Sequence, residues 1–305
     1  MYSRILVPLD GSKLSENILP YARWLASEIK LPVELLHAVD PDIVSILVNP
    51  SEGRYARDIE AVMKRKAVEY LAPVAASLPE PRAVRCCVEI GRPAEVIVAR
   101  AAADPNTLIA MATHGRSEVQ RWWLGSVAHK VLLTTSNPLL LVRPNGKFDN
   151  MGVAPLERLI VPLDGSDLAE RALPYAGPLA KKLGLEISLV QVYSFDGMIH
   201  NSLNGYVPDW ERLGETIKRE TQSYLDHVSD RLTRTGVQQI STVVLQGEPA
   251  EEIIKLARRT PHSLAVMCTH GRSGIGRLLL GSVTDRVVRH SGDPVLVIRA
   301  DAQRE

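Results

Sequence analysis

Ala112-Thr-His-Gly115-Arg-Ser-Glu-Val-Gln-Arg-Trp-Trp-Leu-Gly125-Ser126 returns later in the chain as Cys268-Thr-His-Gly271-Arg-Ser-Gly-Ile-Gly-Arg-Leu-Leu-Leu-Gly281-Ser282. Each copy follows an apolar run, Leu108 to Ala112 and Leu264 to Cys268, and each leads into a helix-like segment that begins Gly-Ser-Val. The stretch therefore reads as a strand, a glycine-bracketed loop and a helix start. Such a junction suits an anion: the first N–H groups of a helix lack intrahelical partners, the dipole presents its positive end, and glycine lets the backbone come close. Ser126 and Ser282 are candidate N-caps, or hydroxyl donors to a phosphate oxygen.

Working outward, Arg4-Ile-Leu-Val-Pro-Leu-Asp-Gly-Ser12 opens one half and Arg158-Leu-Ile-Val-Pro-Leu-Asp-Gly-Ser166 the other. The apolar core of each is a buried parallel strand, and Asp-Gly-Ser is the turn into a helix. Pro8 and Pro162 have no ladder donor, so they belong at the strand's end, where pairing stops. Helical spacing follows from Leu14 to Ala26 and from Leu168 to Leu183. Second strands, Val33 to Val39 and Ile187 to Tyr193, precede unlike loops, Asp40 to Arg57 and Ser194 to Trp210. Long helices then run from Asp58 to Ala76 and from Glu211 to Thr235. Third strands, Ala83 to Ile90 and Ile240 to Gln246, give way to Gly91-Arg-Pro and Gly247-Glu-Pro, with proline at a first helical position. The last strands are Pro138 to Arg143 and Pro294 to Arg299.

Each half thus reads βαβαβαβαβ. Asp10 and Asp164 are 154 residues apart, Gly115 and Gly271 156, so the chain is a tandem duplication. The predicted fold is α/β, two doubly wound, mostly parallel sheets with helices on both faces. The domains are placed at 1–146 and 155–305, and Asn145 to Pro155 is the linker.

A formal net charge of +1 supplies no global field toward nucleic acid or an anionic membrane. No run of about 18 apolar residues could span a bilayer, and no leader pattern opens the chain, so the expected location is the cytoplasm. Cys86, Cys87 and Cys268 form neither a disulfide framework nor a zinc signature and read as small buried hydrophobes.

Taken together, Val-Pro-Leu-Asp-Gly-Ser, Gly-x-Pro before the third helix and Thr-His-Gly, nine residues, Gly-Ser resemble the universal stress protein family in its two-domain form. The resemblance covers nearly the whole chain. It implies five-stranded sheets in the order 3-2-1-4-5, with ATP, and Mg2+ as its companion, at the carboxyl ends of strands one and four. A physical rule points to the same place, because ligands of open α/β sheets bind where the strand order reverses. Carried over by position, Asp10 and Asp164 lie beside the ribose or a bound metal, after Pro8 and Pro162. Ala38 and Val192 offer backbone groups to adenine. Gly115, Gly125, Ser126 and Val127, with Gly271, Gly281, Ser282 and Val283, cradle the phosphates. His114 and His270 orient the loop, and Arg116 and Arg272 face phosphate or solvent. The family's nucleotide-binding pattern begins Gly-x-x-Gly; here Ala112 and Cys268 take the first position.

The bland reading of Asp10 and Asp164 is that they cap the first helix. Trp122 and Trp123 pack a helix start or an interface in preference to stacking on adenine. No P-loop, no Gly-x-Gly-x-x-Gly after the first strand and no Gly-x-Ser-x-Gly elbow occurs. The expectation is a stress-response module that binds an adenine nucleotide and hydrolyses it slowly if at all. The alternative is a nucleotide-free scaffold whose unlike loops contact a partner. The resemblance further implies an internal pseudo-dimer through the fifth strands, and leaves a homodimer open.

Overall fold

Ile5, Leu6 and Val7 are completely shielded from solvent, and so are Leu159, Ile160 and Val161. A strand apolar on both faces needs cover on both, which dictates helices above and below a parallel sheet. The computed structural model describes residues 2–43, 53–80, 83–113, 124–143, 152–194, 210–270 and 281–300. They fold as two units, the first over 2–155 and the second over 156–270 and 281–300.

In the first unit β1 (Arg4–Pro8), β2 (Val33–Val39), β3 (Val84–Ile90), β4 (Thr107–Ala112) and β5 (Leu139–Val142) lie in the order β3-β2-β1-β4-β5, all parallel. The second repeats the arrangement with β6 (Arg158–Pro162), β7 (Glu186–Tyr193), β8 (Ile240–Gln246), β9 (Ser263–His270) and β10 (Val295–Ala300), ordered β8-β7-β6-β9-β10. The order 3-2-1-4-5 is therefore present in both. Pro8 and Pro162 close their strands, yet pairing does not stop there. The next N–H groups still join the ladder, Leu9 donating to the Leu36 carbonyl at 2.9 Å and Leu163 to that of Val190 at 2.7 Å.

The first helix of each half is broken where one helix is expected. A 3-10 turn, Ser15–Ile18, precedes α1 (Leu19–Ile29). The second half has α5 (Asp167–Glu170) and then α6 (Leu173–Leu183). The cause is Pro20 and its counterpart Pro174, which have no N–H to return to the preceding turn and fit only near a helix start. α1 buries Ala22, Leu25, Ala26 and Ile29, the stripe that its spacing requires. The end of the expected linker packs on this helix: the Ala154 N–H donates to the Pro20 carbonyl at 3.2 Å, and Arg23 Nη1 to that of Gly152 at 3.1 Å.

Long helices α2 (Gly53–Ala76) and α7 (Trp210–Arg234), the proline-started α3 (Pro93–Ala102) and α8 (Pro249–Arg259), and α4 (Ser126–Thr134) and α9 (Ser282–His290) complete the halves. The bend into α3 depends on Gly91, whose φ is 153° and whose missing Cβ would lie 2.7 Å from Val96 Cγ2. Both the torsion and the contact oppose a side chain. Gly91→Ala is expected to lower stability by about 1–3 kcal/mol, read as a drop in thermal midpoint; an unchanged midpoint would refute this account of the bend.

Candidate functional site

The strand order reverses between β1 and β4, whose crossovers leave in opposite directions, and this is the position where open α/β sheets hold their ligands. From the β1 side comes Asp10. Gly11 and Gly165 adopt left-handed φ values of 84° and 83°, and this turn folds each aspartate back over its own loop. Asp10 Oδ1 accepts hydrogen bonds from Ser12 N at 2.9 Å and Ser12 Oγ at 2.6 Å. Asp164 Oδ1 accepts from Ser166 N and Oγ at the same two distances.

The helix start is capped by the serine, not by the aspartate. Ser166 Oγ accepts from Ala169 N at 3.2 Å at the head of α5, and Ser12 Oγ accepts from Ser15 N at 3.1 Å. The capping reading of Asp10 and Asp164 thus belongs to Ser12 and Ser166, which the aspartates orient.

From the β4 side comes the start of α4. Gly125 donates its N–H to the Thr113 carbonyl at 2.8 Å and accepts from His129 N at 2.8 Å. The first bond ties the loop's exit to the end of β4, and it also engages an amide that the sequence reading gives to phosphate. Gly125 and Gly281 stand at the N-cap, extended at φ −55°, ψ 144° and φ −57°, ψ 138°, with no side-chain cap. Ser126 and Ser282 therefore occupy the first helical position and are not caps. Both are exposed, and Val127 and Val283 follow half-buried. The first turn of N–H groups, those of Ser126, Val127 and Ala128 in α4 and of Ser282, Val283 and Thr284 in α9, has no partner within its own helix.

The two halves differ where β4 and β9 end. Ala112 is the last residue of β4 and is buried. β9 runs on to His270, pairing Thr269 and His270 with Arg299 and Ala300, so Cys268 sits inside the strand, half-buried. Ala38 and Val192, both half-buried, are next to last in β2 and β7. His114, Gly115, Arg116, Gly271 and Arg272, with Trp122 and Trp123, lie outside the described residues, as does the side chain of His270.

A polar pair that the sequence reading missed flanks the aspartates. Tyr70, from α2, donates its hydroxyl to Glu16 Oε1 at 3.2 Å, and Lys13 Nζ lies 3.0 Å from Glu16 Oε2. Tyr224, from α7, donates to Glu170 Oε1 at 2.9 Å, and Arg231 binds Glu170 Oε2. Burial, with the neighbouring glutamate, pushes both phenols well above their usual range, so they remain donors. Burial alone would raise the Glu170 carboxyl, but the bonds from Arg231 and Tyr224 prevail and lower it. The signal was present in the repeat: both pairs are 54 residues apart, at matched positions.

The cysteines depart from their reading as buried filler. Cys86 is exposed and Cys87 half-buried because β3 is the edge strand of its unit. Burial raises both thiols, which keeps them poorly nucleophilic. Among the described residues no three His, Cys, Asp or Glu side chains group as metal ligands, and no helix is long and apolar enough to cross a membrane.

Comparison with known proteins gives one answer for both halves. The universal stress protein family profile matches residues 1–143 and again 155–299. A universal stress protein of Mycolicibacterium smegmatis is 26% identical over 299 residues, spanning 97% of this chain and 96% of that one. Another, of Methanocaldococcus jannaschii, is 34% identical over 143 residues, 47% of this chain and 82% of the relative. In three dimensions the crystal structure of a universal stress protein from Archaeoglobus fulgidus shares the fold at a TM-score of 0.69 and 22% identity, with 98% of this chain and 99% of that one covered.

Proposed function

The chain belongs to the universal stress protein family, and from that premise we propose that it is a stress-response switch that binds ATP or a related adenine nucleotide beyond β1 and β4, and in the matched crevice beyond β6 and β9. The observation that carries this reading is the first turn of α4 and of α9, where the N-cap is a glycine with no capping side chain, set across the strand-order reversal from a loop whose aspartate is held by its own serine. Such N–H groups suit phosphate oxygens. The aspartate suits ribose hydroxyls, or Mg2+ accompanying the phosphates. Ala38 and Val192 supply main-chain groups at the adenine end.

No nucleophile, base and orienter converge at matched positions among the described residues, so the reading is of binding with slow hydrolysis at most. A nucleotide-free scaffold is the second reading, favoured by Ala112 and Cys268 in place of the family's first glycine. Mass spectrometry of the supernatant from denatured protein, followed by calorimetric titration with ATP and Mg2+, separates the two. Co-purified or titrated ATP at one or two per chain is the expected result. An empty protein that gives no binding heat would leave the scaffold.

A further inference from the structure

The geometry points to Tyr70 and Tyr224 as positioning residues for Asp10 and Asp164, through which occupancy of the crevice reaches the long helices; this rests on the nucleotide reading above. In both halves the aspartate is held by the serine two residues on, Ser12 or Ser166. That serine's carbonyl accepts the N–H of Glu16 at 3.4 Å or of Glu170 at 3.2 Å. The glutamate's carboxylate in turn takes the hydroxyl of Tyr70 or Tyr224, from a helix far along the chain. The chain of contacts is aspartate, serine, glutamate, tyrosine, with the same topology twice. In the first half Ser15 adds a cross-link, accepting a bond from Asp10 N at 3.4 Å and donating to the Ser12 carbonyl at 2.8 Å.

Retention between the halves is selective. Lys13, Ser15 and Asn17 have become Asp167, Ala169 and Arg171, while Asp10, Ser12, Glu16 and Tyr70 recur unchanged as Asp164, Ser166, Glu170 and Tyr224, together with the neighbouring Gly11, Leu14 and Leu19-Pro-Tyr-Ala22. Helix adhesion alone does not demand a buried carboxylate. Glu16 is 7% exposed and the Glu170 side chain 23%; in the first half at least, an apolar pair would hold α2 to the turn without desolvating a charge. What the pair adds is direction: a phenol that must donate and a carboxylate that must accept fix where the turn stands relative to the helix, and hence where the aspartate stands. Ligand contact with the aspartate pulls on the same turn, and the tyrosine passes that restraint to α2 or α7.

The test uses the full chain and ATP with Mg2+. Tyr70→Phe combined with Tyr224→Phe keeps both rings and removes only the hydroxyls. The expected result is binding about fivefold weaker, the worth of one hydrogen bond. The thermal midpoint of the nucleotide-free protein should fall by no more than about 10 °C, leaving it folded at the temperature of the titration. ATP should protect amides of α2 and α7 from hydrogen exchange in the parent and not in the variant.

The sharper readout is coupling. In a background of Asp10→Asn with Asp164→Asn, removing the hydroxyls should weaken binding no further. Equal affinity of parent and phenylalanine variant would overturn the inference and leave the nucleotide reading intact. So would a lower midpoint with unchanged affinity, the mark of a purely structural pair. A parent that binds no ATP overturns both.

Discussion

Ser126→Pro is expected to weaken ATP binding in the first half by about 10–100-fold, the worth of a hydrogen bond to a charged group, while leaving the fold intact. Proline is accepted at the first helical position because the N–H that it lacks has no intrahelical partner there. The residue before a proline must be extended, and Gly125 already is, at φ −55°, ψ 144°. The substitution therefore deletes one amide donor and one hydroxyl from the first turn of α4 with little effect on folding; the thermal midpoint should stay within about 2 °C. Ser126→Ala, which removes the hydroxyl alone, should lose less. Ser282→Pro is the matched experiment for α9, whose Gly281 has φ −57° and ψ 138°. Calorimetric titration reads all three. Full affinity in a protein carrying both prolines would exclude the two helix starts from the site.

The largest stability effect is expected from Glu34→Ala. Glu34, with its side chain 5% exposed, lies 2.6 Å from Arg4 Nη1 and 2.6 Å from Arg100 Nε. Arg4 also reaches Thr107 Oγ1 at 2.9 Å and the Arg100 carbonyl at 2.7 Å. Removing the carboxylate takes the ion pair from Arg4 and leaves Arg100 only Glu89, 3.4 Å from its Nη1, with the two arginine side chains 20% and 26% exposed; the expected loss is about 3 kcal/mol, the lower end for a broken buried pair. Thermal and urea unfolding should both show it, with a midpoint lower by about 10 °C. In the second half the position of Glu34 is Ser188 and that of Arg100 is Leu256, which packs on the apolar cluster of Ile160, Val190 and Ala257. The remaining pair, Arg158 and Glu186, has side chains 39% and 26% exposed. Glu186→Ala should therefore change stability by no more than about 1 kcal/mol. A larger loss at Glu186 than at Glu34 would refute this account.

That contrast also shows how far the sequence could be read. Val33-Glu-Leu-Leu-His-Ala-Val39 announces a strand, and Glu34 within it looks like a solvent-facing interruption. It is buried because Arg100, at the end of α3, and Arg4, at the start of β1, converge on it from distant parts of the chain. Nothing in a local pattern names those partners. The break before α1 was legible in principle, since Pro20 and Pro174 sit where a continuous helix would need their N–H groups. The spacing of apolar residues runs through them and hides it.

The strands, the order of alternation and the duplication were all determined by sequence alone. Their causes are short-ranged or repeated: apolar runs, helical spacing, glycine and proline at turns, and motifs met twice at near-constant offset. The tertiary structure alone decided how the polar groups beyond β1 and β4 are engaged. It engaged the Gly125 amide with Thr113, made Ser12 and Ser166 the caps, moved Ser126 and Ser282 onto the first helical turn, carried Cys268 inside a longer strand, and brought Tyr70 to Glu16 and Tyr224 to Glu170. The physical reason is that a hydrogen-bonding group takes whichever partner the packed elements bring within reach, and that choice depends on the three-dimensional neighbourhood instead of on the residues beside it in the chain.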